Sequence, residues 1–392
     1  MDKFGFDEEK VKTSVGELGT VITGNTPSKS KDEYWDSEDI CFVKPDGIAD
    51  AGITYISKSS EYMSEAAREK ARVVTKDAIF VTCIGSIGKI GIAEDGEFAF
   101  NQQINTIVPN DRVIPKYLAY NLLYSKTRLS AIANSAVVPI INKSQFSEFE
   151  IKIVEDKAKQ GKIVDGLDFV ARIIDKKKQQ LEELDTLIKA RFVEMFGDPR
   201  FNEYNFEKKM LRDTCKVVTG NTPSRAVDEY YGDYIEWIKT DNIVSGQLTP
   251  TTASESLSEE GMQVGRTVDE DAILMACIAG SVASIGRVCV TDRKVAFNQQ
   301  INAIVPQEYN TLFLYTLLQI SKDYLVEEIN MALKGILSKS RLEEKTFIVP
   351  PMEVQDEFAD FVTQVDKLKV AVQESLDELQ TLFDSLMQQY FG

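Results

Sequence analysis

The six residues Phe-Asn-Gln-Gln-Ile-Asn at positions 100–105 recur without change at positions 297–302. Outward from these two copies, the chain aligns with itself at an offset of 195 to 198 residues. The other shared blocks, in the same order in both halves, are Gly-Asn-Thr-Pro-Ser at 24–28 and 220–224, Asp-Glu-Tyr at 32–34 and 228–230, Phe-Val-Lys-Pro-Asp at 42–46 against Trp-Ile-Lys-Thr-Asp at 237–241, Ile-Gly-Lys/Arg at 87–89 and 285–287, Lys-Ser at 143–144 and 339–340, and Phe-Gly at 196–197 and 391–392. Units of this length indicate duplicated domains rather than a solenoid, whose repeats span about 20 to 50 residues.

Length and composition set the class of protein. With 392 residues, 43% of them apolar, the chain is long enough to bury more than one core. No apolar run approaches the roughly 18 residues of a membrane span, and the charged residues 1–12 do not resemble a signal peptide, so we expect a cytoplasmic protein. The five cysteines include no Cys-x-x-Cys pair, which predicts reduced thiols in packing positions rather than a zinc or redox site.

Histidine content and charge restrict the chemistry. The chain contains no histidine, which excludes Ser/His and Cys/His nucleophilic catalysis and histidine metal ligands. Its formal net charge is −17, whereas a general nucleic-acid binder carries clustered Lys and Arg. Residues 1–197 contain 27 basic and 31 acidic residues, and residues 198–392 contain 18 and 31. Any DNA contact must therefore use local basic patches, which are scarcer in the second half.

The end of each half has the pattern of a long helix. Positions spaced by three and four residues, mostly apolar, run from Leu167 to Met195 and again from Val362 to Tyr390, without Gly or Pro. This spacing is typical of a coiled coil, and an amphipathic helix packed on its own domain is the alternative. Lys177 lies on the first seam, where a polar residue can fix the register of paired helices. Antiparallel pairing of the two helices would give a rod with one globular domain at each end and adjacent termini.

The remainder of each half predicts short strands between Gly, Pro, Asn and Asp turns, at 78–83, 98–108, 272–277 and 295–305, with short helices at 117–124 and 312–319. The expected fold is therefore α+β, with two similar globular domains separated by an antiparallel two-helix coiled coil in a pseudo-twofold internal repeat. The expected boundaries are a first globular domain at 1–155, a central spacer helix at 156–197, a second globular domain at 198–350 and a C-terminal spacer helix at 351–392.

The ordered motifs, the duplication and the two seams resemble the specificity (S) subunit of Type I restriction-modification systems over essentially the whole chain. The resemblance implies that each globular domain is a target-recognition domain reading one part of a bipartite target in double-stranded DNA. It implies that the helices set the spacing and dock two modification (M) subunits. No catalysis and no cofactor are expected on this chain; the M subunits would methylate adenine with S-adenosylmethionine, and restriction (R) subunits would translocate and cut the DNA.

Residues kept in both halves are poor candidates for reading two different half-sites, so shared basic residues are candidates for phosphate contacts, with a solvated surface side chain as the alternative. The shared amides could pair with adenine, although a structural role in the turn is favoured. The candidates for DNA binding in or beside the shared blocks are Lys44, Lys89, Asn101, Gln102, Gln103 and Lys143 in the first half, and Lys239, Asp241, Arg287, Asn298, Gln299, Gln300, Lys339 and Arg341 in the second.

Residues that read bases are expected where the copies diverge, at 46–65 and 241–260 and at 135–140 and 331–336. The candidates are Tyr55, Lys58, Asn242, Gln247 and Lys334. In the shared turns, the glycine of Ile-Gly-Lys/Arg predicts a positive φ or a close backbone approach. Thr-Pro-Ser predicts a rigid turn in which proline fixes φ and the hydroxyls cap the backbone.

Two other functions compete with DNA recognition. A two-lobed protein-binding scaffold without DNA contact would explain the negative charge. An unaided nuclease has little support, because Pro45-Asp46 and Glu150-Ile151-Lys152 lie about a hundred residues apart and the second half lacks the Glu-Ile-Lys element. The sequence also contains no Asn/Asp-Pro-Pro-Tyr methyltransferase motif and no Walker lysine loop.

Overall fold

The computed structural model describes residues 10–133, 138–278, 284–327 and 335–392. Its contacts divide the chain into two compact units, 1–176 together with 376–392, and 177–375. Each unit therefore combines one globular part with portions of both long helices. The units are called the first and the second unit below.

The described residues of the first unit form three sheets. Its elements are β1 Val11–Ser14, β2 Gly19–Thr23, β3 Ile40–Val43, β4 Ile53–Ile56, β5 Tyr62–Met63, β6 Val73–Thr75, β7 Ile79–Thr82, β8 Ile90–Ala93, β9 Glu97–Phe100, β10 Ile104–Pro109, α1 Pro115–Tyr124, α2 Lys126–Ala131, α3 Lys143–Glu148, β11 Glu150–Ile153 and the beginning of α4 Lys157–Phe196. The strand orders are β2-β10-β7-β8-β4, β5-β3-β9-β6 and β1-β11. Two neighbouring pairs, β4 with β8 and β3 with β9, are parallel.

The central strand β7 is buried on both faces, which explains its uninterrupted apolar sequence. Ile79 and Val81 belong to the cluster that includes α1 and the ends of the long helices, whereas Phe80 belongs to a cluster with Phe98 and Phe100. Successive side chains of a strand point to opposite faces, so one short strand serves two cores. The first unit is therefore layered around this sheet.

The second unit repeats this plan. Its elements are the end of α4, β12 Glu207–Met210, α5 Leu211–Thr214, β13 Cys215–Thr219, β14 Tyr231–Gly232, β15 Ile235–Ile238, β16 Ser256–Leu257, α6 Glu259–Val264, β17 Thr267–Val268, β18 Ile273–Ala276, β19 Val288–Val290, β20 Val295–Phe297, β21 Ile301–Pro306, α7 Thr311–Ile320, α8 Lys322–Val326, α9 Lys339–Glu344, β22 Thr346–Val349 and most of α10 Met352–Phe391. The strand orders are β13-β21-β18-β19, β14-β16-β15-β20-β17 and β12-β22, and β15 pairs in parallel with β20.

The two long helices are 40 residues each, and each unit contains one end of both. In the first unit, Leu167 near the start of α4 shares a core cluster with Met387 near the end of α10. In the second unit, Phe192 near the end of α4 shares a cluster with Phe358 near the start of α10. Both clusters also include sheet residues, so the outer turns of each helix pack on a globular core as well as on the other helix.

The first described residue lies beside the end of the chain. The Nζ atom of Lys10 donates to the carbonyl oxygens of Gln389 at 2.7 Å and Gly392 at 3.2 Å. Lys152 also donates to the Gly392 oxygen, at 3.3 Å. The sequence prediction that the beginning and end of the chain approach each other therefore holds for residues 10 and 392.

The structure corrects one predicted element in each half. The strand expected at 98–108 is two strands, β9 and β10, and the strand expected at 295–305 is likewise β20 and β21. Between them the chain turns, because the side chain of Asn101 accepts from the backbone N–H of Gln103 at 3.0 Å and Asn298 accepts from Gln300 at 3.0 Å. An asparagine side chain that binds the backbone two residues on is a turn former, and it outweighed the apolar flanks.

Candidate nucleic-acid interface

In the first unit, four turns distant in sequence, 24–28, 44–46, 86–89 and 101–103, are linked by contacts between them, and they are called the first turn cluster here. The backbone N–H of Asn25 donates to the Phe100 oxygen at 2.9 Å, and that of Asn101 donates to the Val43 oxygen at 3.1 Å. The Lys89 ammonium reaches the Pro45 oxygen at 3.5 Å. Most of the shared candidates of the first half thus lie in one place.

The second turn cluster, at 220–224, 239–241, 284–287 and 298–300, has the corresponding contacts. Asn221 donates to the Phe297 oxygen at 3.2 Å, and Asn298 donates to the Ile238 oxygen at 3.0 Å. The guanidinium of Arg287 donates to the Thr240 oxygen at 3.1 Å, in the role that Lys89 has in the first cluster. The duplication therefore preserves this cluster at the level of individual hydrogen bonds.

In each cluster, glycine is required where the Gly-Asn-Thr-Pro-Ser turn packs against the Asn-Gln-Gln turn. A Cβ atom on Gly24 would lie 2.0 Å from the Asn101 oxygen, and one on Gly220 would lie 2.2 Å from the Asn298 oxygen. Gly88 and Gly286 have φ of 78° and 76°, as the sequence predicted for the Ile-Gly-Lys/Arg turns. These glycines fix the framework that presents the polar side chains.

The Asn-Gln-Gln runs have the same exposure pattern in both units: a buried Asn, an exposed first Gln and a half-buried second Gln. The Asn101 and Asn298 amides also donate to the Gln103 and Gln300 side-chain oxygens, at 2.9 and 3.1 Å. With both amide groups engaged inside the turn, the buried asparagines have the geometry of structural residues. Only the exposed Gln102 and Gln299 of these runs present a side chain fully to solvent.

Those exposed glutamines are held from one side. Thr26 donates through its hydroxyl to the Gln102 side-chain oxygen at 2.8 Å, and Thr222 donates in the same way to Gln299. The hydroxyls of the Thr-Pro-Ser turns were expected to cap backbone groups, and in the case of these threonines they bind a glutamine side chain instead. The threonine thereby fixes which end of the amide points away from the turn.

Lys44 and Lys239, both predicted to contact phosphate, each form an ion pair in this structure. Lys44 pairs with Glu61 and Lys239 with Glu255. The hydrogen bond that Lys44 donates to Glu61 raises the pKa of the Lys44 ammonium, and both lysines keep a quarter or more of the side chain exposed. Both cations therefore lie at the surface beside a carboxylate of this chain.

Lys89 is less accessible than the sequence suggested. Its side chain is 12% exposed and pairs with Asp50 at 2.9 Å. Arg287 is half-buried, and its Nε donates to the Ser284 oxygen at 3.3 Å. The aliphatic part of each side chain is packed in the cluster, so these two residues support the turns at least as much as they offer charge to a ligand.

The remaining candidates in or beside the shared blocks lie at the start of α3 and α9. Lys143 is exposed as the first residue of α3, and Lys339 occupies the same place in α9. Lys339 lies 3.5 Å from Glu343, one turn further along the helix, and Arg341 is exposed beside it.

The candidates from the divergent segments fall into different environments. Tyr55 is 46% exposed on β4, with the Lys116 ammonium 4.8 Å from the centre of its ring, and Lys58 is exposed shortly after β4. Asp241 and Gln247 are exposed, whereas Asn242 is buried. Lys334 lies outside the described residues.

Asn242 has a structural environment. Its side-chain oxygen accepts from the backbone of Lys239 at 3.0 Å, and its amide donates to Thr251 Oγ1 and to the Thr252 oxygen, each at 3.1 Å. These partners lie three residues before Asn242 and nine to ten residues after it, at the two ends of one loop. It closes this loop and does not present its amide to the surface.

Sequence reasoning missed the partners of the two lysines. Glu61 also pairs with Lys29, and Glu255 also pairs with Arg225, so each carboxylate is shared by two cations. Lys29 and Arg225 directly follow the Gly-Asn-Thr-Pro-Ser blocks, and both are basic, which was a usable signal. The two glutamates lie in segments that differ in length and correspond at an offset of 194, just outside the range over which the halves were aligned.

Other chemistry is limited in the described part of the chain. Four of the five cysteines are buried and all are unpaired, and burial raises the pKa of Cys83 to about 11 and of Cys277 to about 12, which keeps both thiols protonated. Within the described ranges, no group of three or more Cys, Asp and Glu side chains is arranged to hold a metal ion. None of the helices in these ranges combines the length and the apolar character that a membrane span needs.

Comparison with known proteins accounts for the duplication. The family model for the Type I restriction modification DNA specificity domain matches residues 7–186 and again residues 203–380. This chain therefore belongs to the family of Type I restriction-modification specificity subunits. The family resemblance inferred from the sequence is confirmed.

The chain is similar to one relative over its full length. The specificity subunit of the Type I restriction enzyme MjaIX from Methanocaldococcus jannaschii is 27% identical over 428 aligned positions, covering 99% of this chain and 96% of that protein. The specificity subunit of EcoR124I/EcoR124II from Escherichia coli is 27% identical over 173 positions, or 42% of this chain and 41% of that protein. Both relatives are named as specificity subunits, which agrees with the expectation of a non-catalytic chain.

Solved structures share the fold. The S subunit of the Type I restriction-modification system of M. genitalium has a TM-score of 0.58 at 16% identity, covering 100% of this chain and 98% of that one. A chain from a study of complex assembly and conformational transition of the type I R-M system has a TM-score of 0.57 at 15% identity, covering 97% of each chain. The predicted α+β fold, with two domains and a helical pair, is thereby confirmed.

Proposed function

We propose that this chain reads a bipartite target in double-stranded DNA, with one half of the chain reading each part. The observation that carries the proposal is the turn cluster. The same backbone hydrogen bonds between its turns occur in both regions that match a DNA specificity domain. Each cluster combines one exposed glutamine amide, Gln102 or Gln299, with one surface lysine, Lys44 or Lys239, within one framework. Such a framework suits the sugar-phosphate backbone, which is the same at both half-sites.

Base reading would then fall to the segments that differ. Residues 46–65 and 241–260 begin at the turn clusters and continue with different sequences and different structures. Exposed side chains of these segments, among them Tyr55, Lys58 and Gln247, are the candidates for contacts with base edges in a groove. A framework that holds phosphates and a variable segment beside it would give each half its own half-site.

The proposed partners are two M subunits, one for each half of the chain, and R subunits in a larger assembly. The M subunits would carry S-adenosylmethionine and transfer its methyl group to adenine N6, while this chain binds no cofactor. Because the second half has a net charge of −13, the M subunits would supply much of the electrostatic attraction to DNA. The complex would act in the cytoplasm, where it reaches chromosomal DNA.

A methylome comparison tests this function. Sequencing that detects N6-methyladenine should find one bipartite motif that is methylated in the wild-type strain, lost on deletion of this gene and restored when the gene is returned. The chain should also copurify with two M subunits. A methylome unchanged by the deletion, in a strain that expresses the protein, would contradict the proposal, and a complex that does not bind duplex DNA would favour the scaffold function.

A further inference from the structure

Each half of the chain places one carboxylate between two cations at the edge of its turn cluster. In the first unit Glu61 lies between Lys29 and Lys44. In the second unit Glu255 lies between Arg225 and Lys239. About a third of each glutamate side chain is exposed, and half or more of the outer cations Lys29 and Arg225. The two arrangements are open to a ligand from solvent.

Strand pairing fixes the position of the carboxylate. In the first unit β5 pairs with β3 so that Tyr62 lies opposite Cys41. The backbone N–H of Phe42 donates to the backbone carbonyl oxygen of Glu61 at 2.9 Å. In the second unit the backbone N–H of Trp237 donates to the backbone carbonyl oxygen of Glu255 at 3.0 Å. Residues two apart on a strand share a face, so a glutamate opposite position 42 or 237 is a diagonal neighbour of Lys44 or Lys239. The contact is thus built into the register.

Aromatic rings hold the outer cation in both units. The Lys29 ammonium lies 3.4 Å from the centre of the Trp35 ring, and the Arg225 guanidinium lies 4.4 Å from that of Tyr231. The ring faces attract these cations independently of the glutamate. If the carboxylate moved away, the cations would keep their place and face an empty anion site.

The carboxylate is permanently charged under physiological conditions. The two cations that donate to it lower the pKa of Glu61, and Lys239 and Arg225 lower the pKa of Glu255 in the same way. A carboxylate and a phosphodiester group both carry one negative charge and accept hydrogen bonds from ammonium and guanidinium groups. Glu61 and Glu255 therefore satisfy these cations with the same chemistry that a DNA phosphate would offer.

We propose that Glu61 and Glu255 occupy, in the free protein, the site of a DNA phosphate, and so act as competing anions that weaken sequence-independent binding. This inference rests on the proposed function, because it assumes that the turn clusters face the DNA backbone. Non-specific affinity comes almost entirely from phosphate neutralisation. An internal competitor lowers that affinity and leaves the contacts to base edges to decide where the complex remains bound.

The test replaces each glutamate by an isosteric neutral side chain. The complex with M subunits is prepared with wild-type chain, with Glu61→Gln and with Glu255→Gln, and its affinity is measured over a range of salt concentrations on a random-sequence duplex and on a duplex carrying the methylated motif. If one further phosphate contact forms, the slope of log K against log salt should become more negative by about 0.9, and binding to the random duplex near 0.1 M salt should tighten on the order of 10-fold.

Matched controls remove a charge elsewhere in the same unit. Glu155→Gln releases Arg112 from its ion pair, and Glu308→Gln removes the shorter of the two ion pairs of Lys209, the other being with Glu207. Arg112 and Glu308 follow β10 and β21, whereas the Asn-Gln-Gln turns precede these six-residue strands, about 20 Å away. These controls should change affinity less than twofold. Thermal unfolding of every variant checks that the fold is retained.

The outcomes separate the two proposals. If the wild-type complex prefers its motif but Glu61→Gln and Glu255→Gln match their controls in affinity and salt slope, the competing-anion inference is wrong and DNA recognition stands. If the wild-type complex shows no preference for the motif, the proposed function fails and the inference fails with it. A steeper slope in both variants, with unchanged controls, supports the inference.

Discussion

The turn clusters of the two halves agree closely, and the segments directly after them do not. Beside the clusters, Thr23 donates to Asn105 at 2.6 Å, and Thr219 donates to Asn302 at 2.7 Å. After Lys44, however, the chain forms β4, which pairs in parallel with β8 along four residues. After Lys239, residues 243–255 form no strand, and of that pairing one backbone bond remains, from Val290 to the Leu248 oxygen at 2.7 Å.

The difference shows which parts of the domain are free to change. The turn cluster is fixed by hydrogen bonds that join three turns through the backbone and the fourth through the Lys89 or Arg287 side chain, so a change in one turn disturbs the others. The segment after it is an edge strand in one unit and a loop in the other, and the core of each unit tolerates both. A domain that must keep its framework while changing its target would be expected to vary at such an edge.

The largest expected effect tests whether the shared framework is equally strong in both units. Phe358 in the second unit corresponds to Ile163 in the first at the offset of 195, and both are buried. Phe358 also contacts the rings of Phe192 and Phe196, with centroids 5.4 and 5.6 Å away. Phe358→Ala should cost about 4 kcal/mol of unfolding free energy, more than Ile163→Ala, because aromatic pairs add to the lost burial.

Chemical denaturation followed by tryptophan fluorescence can measure the loss of unfolding free energy separately for each unit. The chain has only two tryptophans, Trp35 in the first unit and Trp237 in the second. In a Trp35→Phe background the signal reports the second unit, and in a Trp237→Phe background it reports the first. A larger loss for Ile163→Ala than for Phe358→Ala would show that the aromatic cluster does not make the second unit the more tightly anchored one.

The next effect concerns two buried glutamines, each in the first turn of a long helix. Their side chains bind backbone groups of the residues that precede that helix. Gln160 accepts from Ile114 N–H at 2.8 Å and donates to the oxygens of Val154 at 2.7 Å and Arg112 at 3.1 Å. Gln355 accepts from Asn310 N–H at 2.9 Å and donates to the Pro350 oxygen at 2.8 Å.

Replacing either glutamine by leucine leaves these backbone groups unsatisfied, which should cost about 2–3 kcal/mol, and more for Gln160→Leu because it serves three groups. The exposed Gln180→Leu in α4 is the control and should change stability by less than about 0.5 kcal/mol. The same denaturation assay reads all three variants. Equal stability of Gln160→Leu and the control would mean that water replaces the lost hydrogen bonds.

Much of the fold follows from the sequence because it depends on local patterns. The helices expected at 156–197 and 351–392 are found as α4 and α10, since three- and four-residue spacing over many turns specifies a helix. The short helices begin at Pro115 and Thr311, two and one residues before their expected starts. Both patterns occur in each half, so each helix was predicted from two independent stretches of sequence.

The site was predicted less completely because it depends on contacts between distant residues. The buried Asn101 and Asn242 were both candidates for DNA binding, with a structural role favoured for Asn101, and in the structure their hydrogen bonds hold turns. The Glu61 and Glu255 carboxylates lie in the divergent segments, so alignment of the halves gave no reason to consider them. Strand pairing, which the sequence leaves open, brings each beside its lysine.

One lysine contacts each divergent segment, and replacing it tests whether the loop and the strand differ in stability. Lys369, 14% exposed, pairs with Asp185 at 2.6 Å and donates to the Gly246 oxygen at 2.9 Å. Lys116 pairs with Asp168 at 2.6 Å beneath Tyr55. Lys369→Met should increase hydrogen exchange at 244–249 about tenfold, or about 1.4 kcal/mol, because the loop has few other backbone bonds.

Lys116→Met is the matched change in the first unit. The amides of β4 should keep their protection, because pairing with β8 remains after the lysine is removed. Mass spectrometry of peptides covering 243–255 and 53–56 reads both effects. Similar exchange in the two variants would show that the strand and the loop depend equally on their lysine, and that the difference between the two segments is one of shape alone.

The smallest expected effect concerns Asp366, next to the lysine that holds the second segment. Burial raises the pKa of the Asp366 carboxyl, the nearby Asp185 raises it further, and Lys369 opposes them. A pKa raised by folding means that the ionised carboxylate destabilises the folded state at neutral pH, and that this cost disappears as the pH falls through the folded pKa. Asp366→Asn should therefore stabilise the second unit at neutral pH by less than about 1 kcal/mol, with the gain fading in acid. Asp360→Asn, exposed on the same helix, is the control, and a gain for Asp366→Asn that did not change with pH would show that repacking rather than charge is responsible.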